Sequence, residues 1–429
     1  MPRNRLPIWL TAVVAASVLA GAALAAGGCG GEEPTLYSDA AGIAADGTLV
    51  EVPAGSDQRF EPGSRVLLQG QASDDAAREQ RAWVESSADL AGGTPYGDMA
   101  RWALTDLHTL LLDRGALLAG ATAKWDYVWP RDASFGAAAL AAAAHEGDAR
   151  AVLGFLQRVQ AEDGTFEARY HPDGSPVADG RRPQADGTGW ALWALDQVAQ
   201  ELPAPERKAL MGEFDALLRR SADHLVAEVA DGGLGAASSD YWEKRETKVT
   251  LETVLARLAG LQAAERCWLA AGDRAAATAA GDAARDYRAV VVERFGESGF
   301  QRYPDGGGAD AAVALAMPPL VEGLEEEAAG ALGEAADSLA RPGGGLAPGE
   351  KWSDGGLSWT PETAMFALAA AGRGDRETAE RWLDWLDAHR TGAGALPEKV
   401  TAEGAPASVA PLSWTAALVI LTLAELRER

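Results

Sequence analysis

Residues 124–144 read KWDYVWPRDASFGAAALAAAA. As far as Asp132 the stretch is aromatic and charged; beyond it the residues are small and apolar. Trp125, Tyr127 and Trp129 alternate with other residues, and strand-like alternation sets all three on one face. Arg131 and Asp132 follow at once with a guanidinium and a carboxylate. Pro130 suits the first turn of a helix, because the N–H it lacks would have no partner there. The helix it starts is apolar and is predicted to be buried. A charged, aromatic loop therefore stands at the mouth of a buried helix. Flat rings beside a charged fork suit a pyranose, whose CH faces stack on rings and whose hydroxyls bond to Arg and Asp. The same residues also fit a core aromatic cluster with an ion pair at a helix start, so the rest of the chain must decide.

The rest is helical from Tyr96 almost to the end. Helices are expected at 96–115, 131–146, 148–161, 188–202, 205–230, 248–271, 273–295, 309–317, 322–341, 361–373, 375–390 and 411–427. Some are amphipathic: Met99, Trp102, Ala103, Leu107, Leu110 and Leu111 share one face. Others, such as Ala133–Ala144 and Met365–Ala371, are apolar nearly all round and belong to an inner layer. Buried and amphipathic helices in alternation point to an all-α double ring, an (α/α)6 toroid of six inner and six outer helices. A ring also answers the size problem. Over 300 residues exceed what one core usually holds, and in a ring the core is an annulus. The connectors then gather at two ends, where long loops carry function.

Residues 1–29 are expected to be an export signal, with Arg3 and Arg5 before an apolar run. Ala26, Gly27 and Gly28 before Cys29 resemble a lipoprotein cleavage site, which would make Cys29 the lipidated residue. The mature protein would be extracellular or tethered at the cell surface, touching membrane only through that anchor. Residues 30–95 are expected to form a tether and a small strand-rich segment, with TLVEV and SRVLLQG as the β-type runs. It packs on the main body, residues 96–429, and is no independent domain. The net charge of −25 argues against nucleic acid as a partner. Cys29 and Cys267 are the two cysteines and the five histidines are scattered, so no disulfide framework, metal site or cofactor is expected, and a monomer is.

Three further connectors carry unusual chemistry. RRPQADG (181–187) offers Arg182, Gln184 and Asp186 to hydroxyls, although Asp186 also suits a helix cap. SDYWEKRE (239–246) sets Glu243 beside Trp242. An indole against a carboxyl desolvates it and favours its protonated form, as a general acid requires. GALPEKV (394–400) holds Glu398 after a stiffening proline. Two carboxyls across a sugar, one acid and one base, are what glycoside hydrolysis uses. The chain has no phosphate-cradling glycine loop, no GxSxG and no HExxH.

Taken in order, KWDYVWPRD, RRPQADGTGW, SSDYWEK and GALPEKV…PLSWT resemble glycoside hydrolase family 15, the glucoamylase family, over roughly residues 96–429. The resemblance implies an inverting, exo-acting hydrolase that releases glucose from the non-reducing ends of α-glucans or oligosaccharides. It implies Glu243 as general acid and Glu398 as general base. It implies Arg131 and Asp132 as the grip on the terminal glucose, Trp125, Tyr127 and Trp129 as an aromatic wall, and Trp242, Arg182 and Trp414 as further cleft positions. Lys244 stands where the family often has a second Glu, and within these residues neither a large N-terminal β-sandwich nor a starch-binding module is expected. A non-catalytic carbohydrate-binding protein on a degenerate hydrolase barrel is the alternative, and sugar release separates the two.

Overall fold

The computed structural model describes residues 35–69 and 71–428; the expected export segment and Cys29 lie outside them. Two strands come first, β1 (Ser38–Ile43) and β2 (Leu49–Pro53), paired antiparallel. Thirteen α-helices follow in the order α1 (Gln71–Glu85), α2 (Gly97–Leu110), α3 (Pro130–Ala142), α4 (Glu146–Val159), α5 (Asp186–Gln200), α6 (Ala204–Glu213), α7 (Asp215–Val229), α8 (Leu251–Ala271), α9 (Arg274–Gly296), α10 (Glu325–Ser338), α11 (Thr360–Gly372), α12 (Arg376–Ala388) and α13 (Ser413–Glu428). A 3-10 turn, Ala311–Ala316, lies between α9 and α10.

Six segments close a ring. α3 packs on α5, α5 on α8, α8 on the 3-10 turn, the turn on α11, α11 on α13, and α13 back on α3. These are the segments apolar nearly all round; every residue of α11 from Thr360 to Gly372 is buried. Each inner member carries an outer helix: α4 on α3, α7 on α5, α9 on α8, α10 on the 3-10 turn, α12 on α11 and α2 on α13. The outer helices are amphipathic. α4 buries Ala149, Val152, Leu153, Phe155 and Leu156, a stripe at helical spacing. This is the (α/α)6 toroid the sequence implied. Inner helices approach closely where glycines meet: a Cβ on Gly189 of α5 would lie 1.9 Å from the Ala256 carbonyl oxygen of α8.

Three local expectations are corrected. The run 205–230 is two helices, broken at Phe214, whose ring is buried; the Leu217 N–H just beyond the break donates to Gln157 Oε1 at 3.1 Å. The run 309–317 is a single 3-10 segment, enough to fill one place in the inner ring. SRVLLQG forms isolated bridges, Val66 to Ile43 and Leu67 to Phe60, and the partner of β2 is the small-residue run SDAAGI instead. Ser38 explains that choice: buried, it donates to the Ala410 carbonyl at 2.8 Å and ties β1 to the loop before α13.

Candidate active site

At the N-terminus of α3, Trp129 is the extended cap residue and Pro130 the first helical one. Arg131 and Asp132 thus lie in the first turn, buried at the end of the ring. Arg131 Nη1 donates to Asp186 Oδ2 of the α5 first turn at 2.7 Å, and its guanidinium lies 4.8 Å from the Trp414 ring. Its contact with Asp132, 3.3 Å, lacks hydrogen-bond geometry, so Asp132 Oδ2 is left without a donor. Burial pushes the Asp132 carboxyl up to about 6; Arg131 pulls it down, while Glu243 and Asp186 add to the rise. Burial also raises Asp186, against the pull of Arg131.

Glu243 sits in a tight turn with φ of 54°, its N–H donating to the Asp240 carbonyl at 2.7 Å. Left-handed backbone at a residue with a side chain is costly and marks a position that the surroundings enforce. The indole in hydrogen-bond contact with Glu243 belongs to Trp129, whose Nε1–H donates to Oε1, and Arg181 pairs with Oε2. Trp242 packs instead on Arg302, 3.6 Å from its guanidinium, and on Trp352. Arg302 is itself clasped by Asp240, Glu246 and Asp310, with contacts of 2.7 to 3.1 Å. That buried knot fixes the loop bearing Glu243. Lys244, where the resemblance leads one to expect an acid, lies 3.9 Å from the Trp352 ring.

Glu398 arrives from the other side. Its N–H donates to the Val409 carbonyl at 2.8 Å, and its carbonyl accepts from Thr360 N–H at 3.0 Å, so the loop before α13 is stitched to the start of α11. Its carboxylate receives Trp125 Nε1–H at 3.2 Å and Ser408 Oγ–H at 2.5 Å, with Lys399 Nζ at 3.3 Å. Ser408, also left-handed at φ 67°, is braced by the N-terminal segment: its carbonyl accepts from Tyr37 N–H at 2.8 Å and its N–H donates to Thr35 at 3.1 Å.

All of this converges on one cavity of about 210 Å³. Trp125, Trp129, Tyr241, Trp242, Trp352, Trp359 and Trp414 line it, with Arg131, Asp132, Glu243, Glu362 and Glu398 as its charged or acidic groups. Arg131 Nε, Asp132 Oδ2, Trp242 Nε1, Trp414 Nε1 and Glu362 Oε2 are buried with no hydrogen-bond partner. Donors and acceptors interleaved with rings match a ligand carrying many hydroxyls on an apolar frame. Glu243 also belongs to the wall of a second cavity of about 330 Å³, with Arg181, Arg182, Gln184 and Arg245. Among the described residues, no group of His, Cys, Asp and Glu is arranged to hold a metal, and no helix is long and apolar enough to cross a membrane.

No protein-family model matches the chain, and no curated protein matches it in sequence. Its fold, however, matches solved structures. A wild-type glycosidase superposes with a TM-score of 0.65 at 21% identity, covering 81% of this chain and 98% of that one. Glucoamylase from Saccharomycopsis fibuligera gives 0.61 at 14%, covering 73% and 89%. A bacterial glucoamylase complexed with acarbose gives 0.66 at 16%, covering 83% of this chain and 59% of that one. The chain has the glucoamylase fold.

Within that glucoamylase fold, the structure brings eight of the residues singled out from sequence to the first cavity: Trp125, Trp129, Arg131, Asp132, Trp242, Glu243, Glu398 and Trp414. Asp186 sits behind Arg131, and Arg182 and Gln184 line the second cavity. Tyr127 is not in the wall; it packs between Arg169, Trp129 and His171, because the loop turns and bends over residues 123–127 instead of running as a strand, with only Val128 bridging to Tyr170. Sequence reading passed over Arg181, Tyr241, Trp352, Trp359 and Glu362. The signal for Trp359 and Glu362 was present in LSWTPE, a tryptophan and an acid around a helix-starting proline, the same grammar as VWPRD.

Proposed function

We propose that the protein is a glycoside hydrolase that removes glucose from the non-reducing ends of α-glucans or oligosaccharides with inversion. The observation that carries this reading is that Glu243 and Glu398, far apart in the chain, lie on the wall of one tryptophan-lined cavity with Asp132 and Arg131. A pyranose stacks on the rings, and its hydroxyls take the buried groups left without partners, Asp132 Oδ2 and Arg131 Nε first. Glu243 gives its proton to the glycosidic oxygen as the bond to the anomeric carbon breaks. Glu398, oriented by Trp125, Ser408 and Lys399, takes a proton from the water that attacks that carbon from the opposite face. Inversion needs the two carboxyls about 6.5–9.5 Å apart to admit the water. A terminal sugar ring gripped by the buried pair Arg131 and Asp132 favours exo action. We also propose export, with Cys29 as a lipid anchor.

The experiment is a screen of maltose, isomaltose, dextran and trehalose, with the anomer of released glucose followed by NMR. β-Glucose is expected first. Glu243→Gln and Glu398→Gln should each lower kcat on the order of 10²–10⁴ or more, with glucose binding retained. Near wild-type rates in either variant refute the assignment. Sugar binding by the wild type with no release on any substrate supports the non-catalytic reading instead.

A further inference from the structure

Glu362 is a carboxyl that the mechanism above leaves unused. It is 2% exposed, lines the same cavity as Glu398 and Asp132, and has Oε2 without a hydrogen-bond partner. Its position, in the first turn of α11, is where an acidic side chain ordinarily serves the helix by binding its free N–H groups. Those of the preceding residues are occupied or missing here, and only the Glu362 N–H reaches the carboxyl, too little to offset its burial. The Trp359 N–H donates to the Leu346 carbonyl at 2.7 Å, the Thr360 N–H donates to the Glu398 carbonyl at 3.0 Å, and Pro361 has none. The carboxyl is also without an ion-pair partner among the described residues. The cation that acts on it, Lys399, is already shared between the Glu398 carboxylate at 3.3 Å and the Trp359 ring at 4.1 Å. The other charged or titratable groups facing it are Glu398 and Asp310, both acidic, and Tyr241, whose hydroxyl is given to Asp310 at 2.6 Å. A buried carboxyl in that company keeps its proton, and a carboxylic acid is a strong hydrogen-bond donor.

We propose that Glu362 is a sugar-contacting residue that donates its carboxylic O–H to a hydroxyl oxygen of the bound pyranose on the Glu398 side of the cavity. The three glutamates of the site then have three tasks: Glu243 as the acid, Glu398 as the base, and Glu362 as a neutral donor that orients the ring against Glu398. Burial, with the charge of Glu398 adding to it, pushes the Glu362 carboxyl up to about 8, so the donor is present at neutral pH and lost in mild alkali. This rests on the carbohydrate reading of the cavity, but not on turnover.

The test uses glucose as the probe and tryptophan fluorescence or calorimetry as the readout, on the full chain. Wild type should bind glucose about tenfold more weakly at pH 9 than at pH 6.5, since one hydrogen bond to a neutral group becomes a repelling charge. Glu362→Gln, whose amide still donates, should retain most of the affinity at pH 6.5 and lack that alkaline loss. Glu362→Leu should bind about tenfold more weakly at both pH values, with an unchanged far-ultraviolet spectrum showing that it folds. The proposal is overturned if Glu362→Leu binds as the wild type does, or if Glu362→Gln shows the full alkaline loss. Absence of glucose binding by the wild type overturns both this proposal and the carbohydrate reading. Normal binding without hydrolysis of any substrate overturns only the hydrolase.

Discussion

Replacing Glu362 by Gln should make the protein more resistant to alkali, independently of any ligand. In the native state burial holds this carboxyl up to about 8, against an ordinary 4.5. The unfolded chain ionises it near the ordinary value, so between the two pH values unfolding releases a proton. Stability from this group is therefore complete below pH 4.5 and falls as pH rises, by roughly 1.4 kcal/mol per pH unit, until the native carboxyl ionises near 8. Over that window the loss reaches at most about 5 kcal/mol. Glutamine has nearly the same shape and nothing to ionise. Asp132, Asp186 and Asp310, also raised by burial, titrate alike in both proteins and cancel in the comparison. The stability difference, variant minus wild type, should grow steadily from pH 5 to pH 8. For a chain of this size that is roughly 1 °C in Tm per kcal/mol, or about 5 °C in total. Parallel scanning calorimetry of the two proteins at half-unit pH steps measures it. A difference that stays flat within about 1 °C, or that runs the other way, refutes the claim that Glu362 is buried without a counter-charge.

Arg302→Met should cost about 3–5 kcal/mol, because it strands Asp240, Asp310 and Glu246 beside one another; adding Asp310→Asn should return part of the loss, and two thermal melts decide it. The same substitution should lower kcat more than it weakens glucose binding, since Arg302 supports Trp242 and the Glu243 turn. Gly189→Ala should destabilise by about 1–3 kcal/mol or more, as its methyl meets the Ala256 carbonyl. Gly212→Ala in α6, with open space around it, should instead stabilise by about 0.5–1 kcal/mol, and Tm comparison of the two checks the helix-crossing argument.

Much of the site was legible in VWPRD and DYWEK, because a proline after an aromatic run places the following charged residues in a helix first turn. Neighbours were harder to separate. Arg181 and Arg182 are chemically identical and both line the second cavity, yet it is Arg181 that pairs with Glu243. Strand-like alternation put Tyr127 on the face of Trp125 and Trp129, but bends at residues 126 and 127 set it on Arg169. The indole expected against Glu243 was its sequence neighbour Trp242, whereas Trp129, from a distant loop, makes the contact. Glu362 reads in sequence as a helix-start acid, and only the structure shows that the preceding N–H groups are used elsewhere and that the carboxyl lines the cavity.

The sequence by itself determined where most of the helices lie, which of them are buried and that they must close on each other, because apolar periodicity is local and an all-apolar helix has nowhere to go but inside. Only the tertiary structure decided which carboxyls share a cavity and in what company. Glu398 meets Trp125, Ser408 and the start of α11 through contacts that span up to hundreds of residues, and such meetings are set by ring closure, which no local pattern encodes.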